Sequence, residues 1–154
     1  MAHRVRSIVG FAIAGLSILG AQTSVVLAGT TNHLNKTTAT KTITANWEIF
    51  FSGKTPAQTK ISLLQNGTKF ATVIKAQASS SLAKSTTATV SKVSNLSASS
   101  ASVRYTVDLG GQPALRNALG TAVRQNGTWK VSDESFCALL ALEQVKTPAC
   151  PAAK

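Results

Sequence analysis

Between residues 43 and 51 the large apolar side chains Ile43, Trp47, Phe50 and Phe51 fall at i, i+4, i+7 and i+8, which lines them along one face of an α-helix. Ser52 and Gly53 end that pattern. Thr55-Pro56-Ala57-Gln58 then predicts a second helix start, with threonine as N-cap, proline at the first helical position and glutamine at the third. This helix carries Ile61 and Leu64 inward and stops at Asn66-Gly67. A third helical segment has Phe70, Val73 and Ile74 on one side and gives out in the serine run 79–81.

Beyond residue 85 the period changes. Ala101, Val103, Tyr105, Val107 and Leu109 alternate strictly with Ser102, Arg104, Thr106 and Asp108, the pattern of a half-buried strand. The preceding β-branched stretch around Val90 and Val93 reads as another strand. Gly110-Gly111 and Pro113 break the chain, and residues 119–132 form a hairpin whose turn is Asn126-Gly127, with Trp129 and Val131 facing the core. Ser132 caps a closing helix that holds Asp133 and Glu134 in its first turn, where negative charge suits the helix dipole. Phe136, Leu139 and Leu140 pack inward from it. Helices, then antiparallel strands, then a helix give an α+β domain.

The ends read differently. Arg4 and Arg6 precede an uncharged stretch from Ser7 to Gly20, and small residues follow up to Ala28, which is the order of a secretory signal peptide. Its apolar part is shorter than the ~20 residues a membrane-spanning helix needs, so residues 1–28 are expected to be cleaved after Ala28. Position 30 is threonine rather than cysteine, which removes the thiol that bacterial lipidation would need. Residues 29–41 are threonine-rich and poor in apolar side chains, and predict a flexible leader. The globular part is expected over residues 42–145, and 146–154 form a C-terminal tail.

Export changes the reading of the cysteines. Cys137 and Cys150 make an even count in an oxidising compartment, and only one pairing exists, so a disulfide is expected. A nucleophilic Cys137 would need a base, and the only histidines are His3 in the signal segment and His33 in the leader. Loss of Arg4 and Arg6 lowers the formal net charge from +11 to +9. The remaining cations come singly, and the few aromatics lie at core spacing, so no specific nucleic-acid site is indicated. Loose association with anionic cell-envelope polymers remains open to such a basic chain.

The alternating strand, the Asn126-Gly127-Thr128-Trp129 hairpin and the serine-capped helix directly after it, in that order, resemble the C-terminal domain of the low-molecular-weight secreted antigen family of mycobacteria and related actinobacteria. The resemblance spans about residues 43–145. It implies a cystatin-like, nuclear-transport-factor-2-like superfold, in which helices pack on a curved antiparallel sheet of about four strands. It also implies an exported protein without an assigned enzymatic role, so there are no catalytic residues to carry over. The superfold includes isomerases and dehydratases that work inside a cone between helices and sheet, but fold alone does not transfer such chemistry. It often pairs through its sheet, and the polar outer face here leaves a homodimer open.

Proton-transfer chemistry in such a cone needs a base and an electrophilic partner facing one cavity. The candidate pocket residues are Tyr105, Asp108 and Trp47, with Glu48 as a further carboxylate. Tyr105 and Asp108 lie three apart on one strand and therefore face opposite sides unless a bulge intervenes. Asp108 is placed to answer Arg104 on the outer face, Glu48 reads as a solvated helix residue, and Tyr105 and Trp47 read as core. No cofactor is indicated, and histidine, cysteine and carboxylates offer no metal-ligand set. The chain therefore reads as an exported, non-enzymatic domain that acts by binding or at the cell envelope. A ligand-binding or enzymatic cone and a basic polymer-coating protein are the rivals.

Overall fold

The threonine-rich segment 29–41, expected to be a flexible leader, is helical. The computed structural model describes residues 28–150, and in it one helix, α1 (Ala28–Phe51), runs through that segment into the apolar stripe. Two threonine hydroxyls in it donate back one turn, Thr37 Oγ1 to the His33 carbonyl and Thr42 Oγ1 to the Thr38 carbonyl, each at 3.0 Å. Groups that compete with a helix are thereby satisfied on it. Extending a helix from a turn anchored by buried Ile43 and Trp47 also avoids the cost of nucleation. Residues 1–27, where nearly all of the expected signal segment falls, and 151–154 lie outside the described residues.

Helix α2 (Ala57–Leu63) begins one residue later than the Thr55 cap predicts. Pro56 is itself the N-cap residue, with an extended ψ of 146°, and no side chain caps the helix. The extra extended residue carries Thr55 away from the first turn. Buried Ile61 and Leu64 face inward as expected, and Leu64 continues into a parallel bridge with Val131. A 3₁₀ turn (Gly67–Phe70) leads into α3 (Ala71–Ala78), and the serine run separates this from a single further turn, α4 (Ser81–Lys84). Asn66, left-handed at φ 51°, exchanges two hydrogen bonds with Gln125: its backbone N–H donates to Gln125 Oε1 at 3.2 Å and its Oδ1 accepts from Gln125 Nε2 at 3.0 Å. Its own amide donates to Asp133 Oδ2 at 2.9 Å, so one asparagine ties the helical layer to the hairpin and to the closing helix.

The strands β1 (Thr86–Ser94), β2 (Ser100–Leu109), β3 (Gln112–Gln125) and β4 (Thr128–Val131) form an antiparallel meander in chain order. Ala101, Val103, Tyr105 and Val107 are buried on the concave side, as the alternation requires. Asn126 (φ 52°) and Gly127 (φ 78°) supply the two positive φ angles that a tight hairpin turn needs. Pairing slips between Val90 and Lys92 against β2, and twice along β3 opposite Tyr105–Asp108. Such bulges bend and twist a strand, and they curl this sheet into a half-barrel around the helices.

Helix α1 lies against β1 and β4. Asn46 Nδ2 donates to the Trp129 carbonyl at 2.8 Å, and Glu48 Oε1 accepts from the Val90 N–H at 3.1 Å beside the β1 bulge. Glu48 thus fastens helix to sheet instead of being simply solvated, because the bulge presents a backbone donor to it. The closing helix α5 (Asp133–Leu142) starts as expected, with Ser132 Oγ accepting from Ser135 N–H at 3.1 Å. Buried Ser135 Oγ in turn accepts from the Thr121 N–H at 2.8 Å, joining helix start to β3.

At its other end α5 stops in a Schellman arrangement. Gln144 adopts φ 58°, its N–H donates to the Ala141 carbonyl at 3.1 Å, and the Val145 N–H donates to Leu140 at 2.8 Å. Glycine is the residue usually found at such a position. Gln144→Gly should raise stability by roughly 0.5–1 kcal/mol, because relief of left-handed strain exceeds the entropy that glycine adds to the unfolded chain. A higher urea midpoint at unchanged slope would show it; an unchanged or lower midpoint would place the strain elsewhere.

Candidate functional site

Six aromatic rings divide the space between helices and sheet. Trp47 meets Tyr105 edge-on at a centroid distance of 5.1 Å, and Tyr105 stacks on Phe51 at 5.4 Å. Phe51 meets Phe50 at 5.0 Å, and Phe136 lies 5.6 Å from Phe50 and 5.4 Å from Phe70. Edge-to-face pairs of this kind contribute roughly 0.5–1.5 kcal/mol beyond area burial. On the Trp47 side of this layer the interior is packed. Gly120 makes room there, since a Cβ on it would come within 2.8 Å of the Trp47 ring.

On the other side the cone is open. A cavity of about 830 Å³ lies between α2, α3 and α4, the open ends of β1 and β2, the start of β3, and the last turn of α5. Phe50, Phe51 and Phe136 form its inner wall, Val73, Ile74 and Leu139 one flank, and Val107, Leu109 and Leu115 the sheet side. Adjacent Ala114 and Leu115 both reach it where the β3 pairing slips. Val145, placed by the turn at Gln144, closes the rim beside Leu142, which is 67% exposed. The polar groups of the lining include Lys60, Gln77 and Glu143; Gln77 Nε2 donates to Glu143 Oε2 at 2.6 Å across the rim. Burial lowers the pKa of Lys60.

None of the three residues proposed from sequence as a pocket lines this cavity. Trp47 and Tyr105 are buried one layer behind Phe51, and burial pushes the Tyr105 phenol up. Asp108 is half-buried on the outer face, since β2 itself runs without a bulge and keeps it opposite to Tyr105. Arg104 does not answer it: the guanidinium Nη1 donates to the Asn117 carbonyl at 3.2 Å, a carbonyl that the left-handed Asn117 in the β3 bulge presents. Among the described residues no three His, Cys, Asp or Glu side chains come together as a metal site. Among the described residues the cavity thus offers apolar surface and one partly desolvated ammonium, and no carboxylate and phenol facing each other across it.

Cys137 and Cys150 are joined, with Cα atoms 5.6 Å apart, so Cys137 is a tether and holds no free thiol. The bond draws the segment after α5 back onto the core, where Val145, Ala149 and Cys150 pack. Residues 35–147 match the family model described as low molecular weight antigen MTB12, C-terminal domain. The chain belongs to this family. The match covers most of the chain and begins inside the threonine-rich part of α1. No curated protein and no solved structure matches the chain. Membership of the antigen family and the disulfide both fit an extracellular location. No described helix is long and apolar enough to cross a membrane.

A second, shallower hollow of about 620 Å³ lies between α1, the loop 96–98 and the β3–β4 hairpin. Lys36 and Arg124 border it and Trp129 forms part of its floor. Trp129 is 7% exposed, too covered to stack a ring.

Proposed function

We propose that this member of the antigen family is exported by cleavage of its first 28 residues and acts without catalysis, by holding a small apolar molecule in the cone outside the cell. The observation that carries the reading is the 830 Å³ cavity, whose walls are aromatic and aliphatic side chains. That size is within the ~300–1,000 Å³ typical of small-ligand sites, and such sites are largely apolar with few placed polar groups. A neutral dye that fluoresces in apolar surroundings, N-phenyl-1-naphthylamine, should brighten when titrated with the oxidised protein. Leu139→Trp, which fills the flank of the cavity, should abolish the signal while the protein still melts cooperatively. Undiminished dye binding by that variant would show that the dye sits elsewhere and would remove the cavity from the proposal.

A further inference from the structure

Among the charged groups of the cavity lining, Lys60 and Glu143 are differently placed. Glu143 is exposed at the rim and its carboxylate is engaged by Gln77. Lys60 projects from the last turn of α2 and is only half-exposed, between the apolar wall and the opening. Among the described residues no carboxylate pairs with its ammonium, and loss of water around it is what lowers its pKa. A lysine at a helix C-terminus is explained in part by the helix dipole, but dipole stabilisation does not require the side chain to line a hollow. A cation partly withdrawn from water without a counter-charge carries a desolvation cost, and an anion supplied by a ligand would offset it.

We propose, building on the apolar-ligand reading, that the cavity takes an anionic amphiphile: a hydrocarbon chain against Phe50, Phe51, Ile74, Val107 and Leu139, and a carboxylate or phosphate head on the Lys60 ammonium. The chain and the head are matched by two different parts of the lining, the aromatic wall deep in the cone and the half-exposed Lys60 ammonium. The basic exterior, with a formal net charge that falls only from +11 to +9 when residues 1–28 are removed, favours approach of such ligands.

The test compares dodecanoate, dodecyl phosphate and dodecanol by calorimetry below their micelle concentrations, on the oxidised protein and on Lys60→Met and Lys60→Arg. Methionine keeps an apolar stem without the charge, and arginine keeps the charge. At least one anion should bind the unaltered protein about ten-fold more tightly than the alcohol, the factor expected of one charge-assisted contact. Lys60→Met should erase that preference with little change in alcohol affinity, and Lys60→Arg should retain it. Whichever anion binds more tightly identifies the head group. Equal binding of alcohol and both anions, or a preference that survives Lys60→Met, overturns the head-group assignment and leaves the apolar cavity standing. Binding of none of the three, together with no dye binding, overturns the cavity reading as well.

Discussion

Trp47→Ala should destabilise the protein by about 3–5 kcal/mol, the usual cost of deleting a buried tryptophan side chain. Trp47 is 1% exposed, lies against Phe51 and Tyr105, and covers the backbone of β3 at Gly120. Its removal would leave a void bounded by α1 and the sheet, and neither can collapse into it easily. The α1 helix is held to the sheet at Asn46 and Glu48, and β3 is held to α5 through Thr121 and Ser135. Since a domain has a total stability of roughly 5–15 kcal/mol, the variant should lose about a third or more of it, visible as a large fall in the urea midpoint. Trp47→Phe should cost much less. The indole N–H is buried without a hydrogen-bond partner among the described residues, and an unpaired buried donor costs about 1–3 kcal/mol, so phenylalanine loses volume but removes that penalty. Dye binding should survive Trp47→Phe, because the ring lies behind the cavity wall. A loss under 1 kcal/mol for Trp47→Ala would mean that Trp47 does not organise the core.

Reduction of the Cys137–Cys150 bond, or Cys137→Ser with Cys150→Ser, should remove about 3 kcal/mol, the loop-closure contribution for cysteines 13 positions apart. In a domain of this size the melting temperature should fall by roughly 10 °C or more. A second effect separates this loss from simple weakening. Leu142, Glu143 and Val145 form the rim of the cavity and lie inside the disulfide loop. The reduced protein, kept well below its melting temperature, should therefore bind the dye less tightly while its far-ultraviolet circular dichroism is little changed. Unaltered melting and unaltered dye affinity on reduction would assign the tail no part in either stability or the site.

Much of the fold was legible in the chain because periodicity reports orientation. The spacing of Ile43, Trp47, Phe50 and Phe51 predicts the packed half of α1, and the alternation from Ala101 to Leu109 predicts β2 and its buried face. Asn126-Gly127 and Ser132 predict the turn and the cap because each depends on a few neighbouring residues. The errors share another cause. Segment 29–41 carries no apolar stripe that would announce a helix, and it is helical because it continues one anchored further along. Glu48 binds sheet backbone and Arg104 binds the Asn117 carbonyl because bulges, set by the pairing of distant strands, present those groups. Nothing local to Glu48 or Arg104 reveals either partner.

The site shows the same division more sharply. Val73 and Leu139 were identifiable as inward-facing, but facing inward does not tell a filled interior from a hollow one. Whether side chains from α3, α5 and the sheet meet depends on how far the bulged sheet curls away from the helices, a distance that no stretch of residues encodes alone. Lys60 gave no signal, being one lysine among many until α2 docks beside the opening. The chain by itself determined the order and kind of its elements, the faces they bury and the partner of its one cysteine bridge, since these follow from spacing and from counting. Only the tertiary structure decided that aromatic rings pack one end of the cone solid while the other stays open, and that a cation stands at the open end, because both result from the separation of surfaces brought together from opposite ends of the domain.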